Sequence, residues 1–322
     1  MPRAGPANGA MRDPLVHILV LNFNCLEKIS ACVASLEKLT YPNFRILLLD
    51  NGSVDGSDRE LPRRFPAHEL VLNGRNLGYA AGINVGARLA LERGADLIWM
   101  LNPDTLVEPG ALSALVEVHA SLRKPGLIGS LILNDDSDRI YFYKGVITAE
   151  GKVRHAHAGE SQSQIPELAR AAVGETDFVN GASTLFSRQV AEEVGLMPED
   201  YFLYYEDVDW SLRVAAQGFA NRVAYRSLVH HMRTGGPPVN YVGVYYTRRN
   251  EFFFRQRHGF PVSRNVTLGR LRIRMAKHAV RMLLGRRTDH HQNMYYVIGR
   301  VARAIKEGRM GYEPLQLPRP PE

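Results

Sequence analysis

The stretch that most limits the fold runs from Val16 to Leu49. Val16–Asn22 is a short apolar run that fits a buried strand. Residues 26–39 then place Leu26, Ile29, Val33, Leu36 and Leu39 at helical spacing, Tyr41-Pro42-Asn43 breaks the pattern, and Phe44–Leu49 is a second apolar run. Strands too apolar to leave either face in water, joined through a helix, predict a βαβ unit in a parallel sheet covered on both sides. The alternation continues through a helix over Gly82–Arg93, a strand over Asp96–Leu101, and a helix opened by Glu108-Pro109-Gly110 that ends near Leu122. The fold class is therefore α/β. Ligands of such sheets bind beyond the carboxyl ends of the strands, where Asn22, Asp50 and Asn102 stand.

The remainder is less regular. Residues 134–177 are polar, rich in Gly, Ser and His, and read as hairpins and loops inserted before the apolar segment Phe178–Phe186. A Pro/Gly/Ala-rich leader over residues 1–14 is expected to be disordered. Two cysteines, Cys25 and Cys32, are too few for a disulfide framework and lack the partners of a zinc site, which fits a reducing compartment. No apolar stretch reaches the roughly 18 to 20 residues of a spanning helix, and no secretory h-region precedes Val16, so a cytoplasmic protein is expected.

The net charge of +7 is unevenly spread: residues 248–309 hold 16 Lys/Arg against 3 Asp/Glu, while residues 1–247 sum to −5. Within the basic quarter, Arg264–Arg287 reads as an amphipathic helix, with Ile273, Ala276, Val280 and Leu283 on one face and Arg274, His278 and Arg281 on another. That pattern fits peripheral docking of residues 264–287 on an anionic membrane surface. Packing against the rest of the protein, with a solvated basic face, fits it equally.

Several constellations carry possible chemistry, each with a plainer reading beside it. Asp50-Asn51-Gly52-Ser53 follows Asn22 at the distance where nucleotide-binding folds place a ribose-binding acid, yet it is also good turn chemistry. The Gly-x-Gly-x-x-Gly of a dehydrogenase is absent after the first strand. Asn76 to Gly86 is a small-residue loop, with Gly82 and Asn84, that can let backbone approach an anion; close helix-to-sheet packing would select the same glycines. Asn102-Pro103-Asp104 puts a carboxylate just past a buried strand, a donor suited to Mg²⁺ or Mn²⁺ bridged to a diphosphate, or else a helix cap. Glu206-Asp207-Val208-Asp209 sets three acids among tyrosines, an environment that can raise a carboxylate into the range of a general base, or a charged first helical turn favoured by the dipole. Of His230 and His231, one imidazole can complete a metal site, although a structural pair is the plainer reading.

In this order the segments Leu49-Asp50-Asn51-Gly52-Ser53-x-Asp55-Gly56-Ser57, Asn76 to Gly86, Leu101-Asn102-Pro103-Asp104-Thr105, Phe178-Val179-Asn180-Gly181-Ala182, Tyr204 to Asp209 and Tyr245 to Asn250 resemble the family 2 glycosyltransferases, in their bacterial rhamnosyltransferase-like branch. The resemblance implies a GT-A fold over residues 15–260, with a Rossmann-like nucleotide-sugar-binding half (15–133), an acceptor-binding half (134–260), and a basic helical extension (261–322). It implies a nucleotide-sugar donor held by Asn22, Asp50, Asn76, Gly82, Asn84, Asn102 and Asp104. A divalent metal, Mg²⁺ or Mn²⁺, would sit at Asp104 and at His231, the better match of the two histidines. Asn102 stands for the first acid of the family's Asp-x-Asp, and Asp104 is the retained carboxylate.

By the same resemblance Asp207 is the base of a single inverting displacement, and Gly181, Ala182 and Glu206 shape the acceptor cleft. Rhamnose from dTDP-rhamnose is the first expectation for the donor, UDP-galactofuranose the alternative, and a cell-surface polysaccharide or lipid-linked glycan precursor the acceptor. The competing class is a nucleic-acid-binding protein using the basic quarter. It explains the tail and assigns nothing to Asp104 or Asp207, so no nucleic-acid partner is expected.

Overall fold

The computed structural model describes residues 13–135, 137–232, 239–284 and 289–318; most of the leader and residues 285–287 of the expected basic helix lie outside them. The βαβ unit forms as the periodicity requires. β1 (Val16–Asn22), α1 (Leu26–Leu36) and β2 (Phe44–Asp50) are followed by α2 (Ser57–Arg64), β3 (Glu69–Leu72), α3 (Tyr79–Glu92) and β4 (Leu97–Leu101). Every residue of β1 is buried. Val16, Ile18 and Val20 join the apolar cluster of Ile29, Val33 and Leu36, while Leu19 and Leu21 join that of Ile83, Ala87 and Ala90. Each such side chain contributes about 1.5–3 kcal/mol by leaving water, which is why the strand reads as continuously apolar.

The chain then adds β5 (Thr105–Val107), α4 (Ala111–Ser121), β6 (Pro125–Asn134), β7 (Ile140–Phe142), a separate hairpin of β8 (Gly145–Ile147) and β9 (Val153–His155), α5 (Pro166–Arg170), β10 (Val173–Glu175), β11 (Ser183–Ser187), α6 (Arg188–Glu193), α7 (Glu206–Ala216) and β12 (Ala220–His231). The main sheet has the order β10-β12-β6-β11-β4-β1-β2-β3, with β5 on β12 and β7 on β6. β1, β2, β3 and β4 are parallel; β11 enters antiparallel between β4 and β6. One continuous sheet therefore runs under both halves.

Three helices complete the described chain: α8 (Tyr241–Arg257), α9 (Arg264–Leu283) and α10 (Asp289–Glu307). Only the second is among the helices expected from the sequence. They share a cluster of their own, in which Tyr245, Tyr246, Phe252, Val297, Ile298, Val301 and Ile305 are buried and α9 contributes Leu271. No helix among the described residues is long and apolar enough to cross a membrane.

Candidate active site

The parallel strands end level with one another, Asn22 opposite Asp50 and Val20 opposite Leu101, so the expected donor-side residues gather at one sheet edge. Asn22 Nδ2 donates to Asp50 Oδ2 at 2.9 Å and to Ser53 Oγ at 3.0 Å. The other Asp50 oxygen accepts from the Gly52 and Ser53 amides at 3.0 and 2.9 Å. Asn22 Oδ1 is buried with no donor, which leaves one acceptor for the N–H of a ligand. The turn chemistry expected at Asp50 is thus present.

The Asn76 segment is organised by a residue that the motif reading passes over. Asn51 donates to Asn76 Oδ1 and to the Gly78 carbonyl, both at 3.1 Å, and accepts from Asn73 and from the Leu77 amide. α3 starts at Tyr79, three residues before the expected Gly82, so Gly82 and Asn84 lie inside the helix rather than in a loop. A Cβ on Gly82 would meet the Asn51 side chain at 3.0 Å. Asn84 is buried and donates to the Met197 carbonyl at 2.8 Å and to Glu199 at 2.9 Å. The close-packing reading accounts for both.

On the metal side, strand alternation separates the two histidines. His231 faces Asp104, Nε2 to Oδ1 at 3.6 Å, and stacks on Tyr141 with ring centroids 4.3 Å apart; His230 faces Glu108 at 3.3 Å. Two donors sharing one ion through bonds of about 2.1 Å must stand about 3 to 4 Å apart, so the Asp104/His231 pair fits a divalent cation. Among the described residues no group of three or more His, Cys, Asp or Glu is placed to hold one. The remaining ligands would have to be water and substrate oxygens, as is common for Mg²⁺.

The three acids of α7 divide. Asp209 is fully buried on the far side, where it accepts from Tyr201 Oη at 2.6 Å and pairs with Arg257 at 3.0 Å and His258 at 3.2 Å. Burial alone would raise its pKa, but the His258, Tyr201 and Arg257 contacts outweigh it and hold the carboxyl below its ordinary range. Glu206 and Asp207 instead line a cavity of about 360 Å³ together with Tyr79, Asn102, Tyr141, His155, Gly181 and Ala182. Burial pushes both carboxyls up, Glu206 further, since it also feels the Asp207 charge.

Their hydrogen bonds decide which of the two carries charge. Asp207 accepts from the Gly181 amide at 2.9 Å and the Val208 amide at 2.8 Å, whereas Glu206 Oε2 is buried without a partner. Donors to a carboxylate favour its ionised form, so one shared proton belongs on Glu206 and the anion on Asp207. Gly181 is held in turn by Tyr79, whose hydroxyl donates to its carbonyl at 2.6 Å, and Ala182 accepts from the Asn102 amide at 3.1 Å. Tyr141 lines the same cavity and stacks on His231; burial, then the charge of Asp104, pushes its phenol up to about 12. Tyr79, Tyr141 and His155 are cavity residues that no sequence motif singles out.

A buried clamp fixes the approach to α7. Phe202, Tyr204 and Tyr205 have φ of 68°, 66° and 76°, the left-handed region that costs a non-glycine residue about 1 kcal/mol or more. Asn250 Nδ2 donates to the carbonyls of Leu203 and Tyr204 at 2.8 Å and of Tyr201 at 3.2 Å. Arg249, also buried, donates to Asn250 Oδ1 at 2.9 Å and to the Tyr201 carbonyl at 2.8 Å. Gly78 closes the other side: a Cβ there would lie 2.5 Å from the Phe202 carbonyl oxygen, and the Tyr79 amide donates to that oxygen at 2.7 Å.

The glycosyl transferase family 2 model matches residues 17–195, which includes Asp50 and Asp104 and stops short of Asp207 and His231. An N-acetylglucosaminyl-diphospho-decaprenol L-rhamnosyltransferase of Mycobacterium tuberculosis is 27% identical over 247 residues, covering 70% of this chain and 79% of its own. The dTDP-rhamnosyl transferase RfbF of Shigella flexneri is 24% identical over 260 residues, covering 77% and 82%.

Two solved structures share the fold. A mannosyltransferase of Pyrobaculum calidifontis in complex with GDP-Man and Mn²⁺ superposes with a TM-score of 0.56 at 15% identity, over 79% of this chain and 66% of that one. GalNAc-T7 with UDP, GalNAc and Mn²⁺ gives 0.60 at 17%, over 76% and 48%. The architecture is that of the GT-A glycosyltransferases.

Proposed function

The chain belongs to glycosyl transferase family 2 and is a glycosyltransferase, and from that premise we propose an inverting enzyme that moves a sugar from a nucleotide diphosphate to a hydroxyl of a glycan or lipid-linked glycan precursor. Rhamnose from a dTDP donor is the proposed sugar, since the two rhamnosyltransferases named above each match about three quarters of the chain. The observation that carries the reading is that the cavity holding Asp207 is also lined by Tyr141, whose ring stacks on His231 of the Asp104/His231 pair.

In the proposed mechanism Asn22 and Asp50 receive the base and ribose, and the diphosphate lies toward Asn102 and Asp104. The acceptor hydroxyl enters beside Asp207, which takes its proton as the oxygen attacks the anomeric carbon. The bond from that carbon to the diphosphate breaks and configuration inverts. Tyr79, through the Gly181 carbonyl, and the Gly181 amide keep the Asp207 carboxylate aimed, and neutral Glu206 adds no second negative charge beside it. Asp104 and His231 would hold Mg²⁺ or Mn²⁺, whose charge would stabilise the departing diphosphate.

The test is a thermal-shift panel of dTDP-, UDP- and GDP-sugars with and without Mn²⁺ or Mg²⁺. A ligand bound only by the native state at 100 times its Kd adds about 2.7 kcal/mol, a rise of several degrees. One nucleotide class should give that rise in the presence of metal, and Asp104→Ala should abolish it. If no nucleotide shifts the protein under any metal condition, the donor site is misassigned.

Membrane attachment through α9 belongs to the same proposal. Ile273, Val280 and Leu283 are 58, 51 and 81% exposed, so the apolar stripe does not pack on the protein, and Arg270, Arg274, Lys277 and Arg281 stand exposed beside it. Apolar surface flanked by cations complements an anionic bilayer. The protein should float with phosphatidylglycerol vesicles, and Val280→Glu with Leu283→Glu should leave it at the bottom of the gradient. Equal flotation of the variant would remove this role from α9.

A further inference from the structure

A second cavity, of about 310 Å³, opens between α8, α9 and α10. Its floor is apolar, with Phe252, Leu271, Val301 and Ile305, whereas its walls carry Arg248, Arg255, Arg270, Arg274 and Lys277 against one carboxylate, Glu251. That carboxylate is shared with Arg255 at 3.9 Å. Arg248, Arg270, Arg274 and Lys277 have neither an ion pair nor a hydrogen bond among the described residues, and Arg255 Nε is buried without an acceptor. Arg248 is half-buried, and its own desolvation followed by the Arg274 charge weighs against its cationic form. A half-buried cation such as Arg248, facing other cations over an apolar floor, is costly unless an anion answers it. Arginine forks answer phosphate oxygens in pairs.

The cleft also lies next to the catalytic cavity. Thr247 lines that cavity and Arg248, the next residue of α8, lines this cleft. Ile273 belongs at once to the cleft wall and to the exposed stripe of α9, so the cleft opens at the edge that would meet a bilayer.

We propose that the α8–α9–α10 cleft binds the phosphate–lipid junction of a membrane-borne acceptor, taking its phosphates on Arg248, Arg270, Arg274 and Lys277 and the first carbons of its tail on Phe252 and Leu271. This rests on the glycosyltransferase reading and adds to it the class of acceptor: a sugar linked through phosphate to a lipid, whose head group reaches Asp207 while its tail stays in the bilayer.

The probes are farnesyl diphosphate, inorganic pyrophosphate and farnesol, titrated calorimetrically into the full chain with dTDP and Mn²⁺ saturating, so that the donor site is closed. Farnesyl diphosphate should bind about tenfold or more tighter than either fragment, and Arg248→Gln with Arg274→Gln should weaken it about tenfold or more, by loss of charge-assisted hydrogen bonds. The same pair should leave the nucleotide-dependent melting shift intact. Lys277→Glu, a charge reversal at an exposed position, repeats the test should the double variant not fold. Pyrophosphate binding as tight as farnesyl diphosphate would make the cleft a free-phosphate site and overturn the proposal. So would binding lost on saturation with dTDP, or binding unchanged in the variants. Failure here with the nucleotide shift preserved removes the acceptor assignment alone; absence of the nucleotide shift removes the function beneath it.

Discussion

Asp207→Asn should lower kcat by about 10² to 10⁴-fold, the usual worth of a positioned general base, and leave the nucleotide-dependent melting shift unchanged. The amide keeps the shape of the carboxylate but cannot take a proton from the acceptor. Glu206→Gln makes the discriminating contrast. If the shared proton resides on Glu206, a neutral amide there replaces a neutral acid, and most activity should survive near neutral pH. If Glu206 were the ionised partner, its replacement would cost as much as that of Asp207 and the assignment of roles would be reversed.

The pH profile supplies a second check on the same pair. Burial holds both carboxyls above their ordinary range. The active form needs Asp207 ionised, so kcat/KM should fall as pH decreases through the pair's apparent pKa, and this acid limb should lie above the value of about 4 of a solvated aspartate. In Glu206→Gln a neutral amide replaces a neutral acid, so the limb should stay close to its wild-type position, because burial rather than a Glu206 charge raises Asp207. A limb at the ordinary aspartate position in the wild-type enzyme would mean that water reaches the pair and that the cavity is wetter than its burial implies.

Several of these features can be read from the chain, and particular residues show where such reading stops. β1 and β2 are legible because Ile18–Leu21 and Ile46–Leu49 are buried on both faces and apolar without interruption. The start of α3 is not. Its glycines look like a loop, but Gly82 and Gly86 sit inside the helix because Asn51 and Leu49 press against them, a contact made by residues more than thirty positions away. α8 buries aromatic residues around much of its circumference and so offers no amphipathic period. α10 does carry one, with Val297, Ile298, Val301 and Ile305 on one side, and that spacing is the signal that finds it.

The site divides in the same way. Asp104 and Asp207 stand in recognisable motifs, and which of His230 and His231 faces Asp104 follows once β12 has a register against β5. The separation of Asp209 from Glu206 and Asp207 follows from helical geometry once α7 begins at Glu206. The environment that sets their charge, however, comes from Gly181, Tyr201, Arg257 and His258, which only the tertiary fold brings together.

Asn250 is the residue whose weight the sequence hides most. Its amide is the donor for three carbonyls of the turn that delivers Glu206 and Asp207, across 46 to 49 positions of chain. In Asn250→Ala the Leu203 and Tyr204 carbonyls lose their donor while that of Tyr201 keeps Arg249, at about 1–3 kcal/mol for each that water cannot reach, and the left-handed residues Phe202, Tyr204 and Tyr205 lose what holds them. The turn should relax toward ordinary backbone conformations and carry Asp207 away from the Gly181 amide. A displacement of about 1 Å at a reacting group can cost about 10²-fold. Measured well below the melting temperature, the variant should therefore show kcat reduced about tenfold to a hundredfold, a smaller change in donor binding, and an acid limb shifted from the wild-type position as the Gly181 hydrogen bond is lost. Asn250→Asp should be no better, because a carboxylate of the same size has no hydrogen to donate and brings a buried charge. A purely structural amide would lower the melting temperature and leave kcat and the acid limb of the folded protein where they were, and that result would detach the clamp from catalysis.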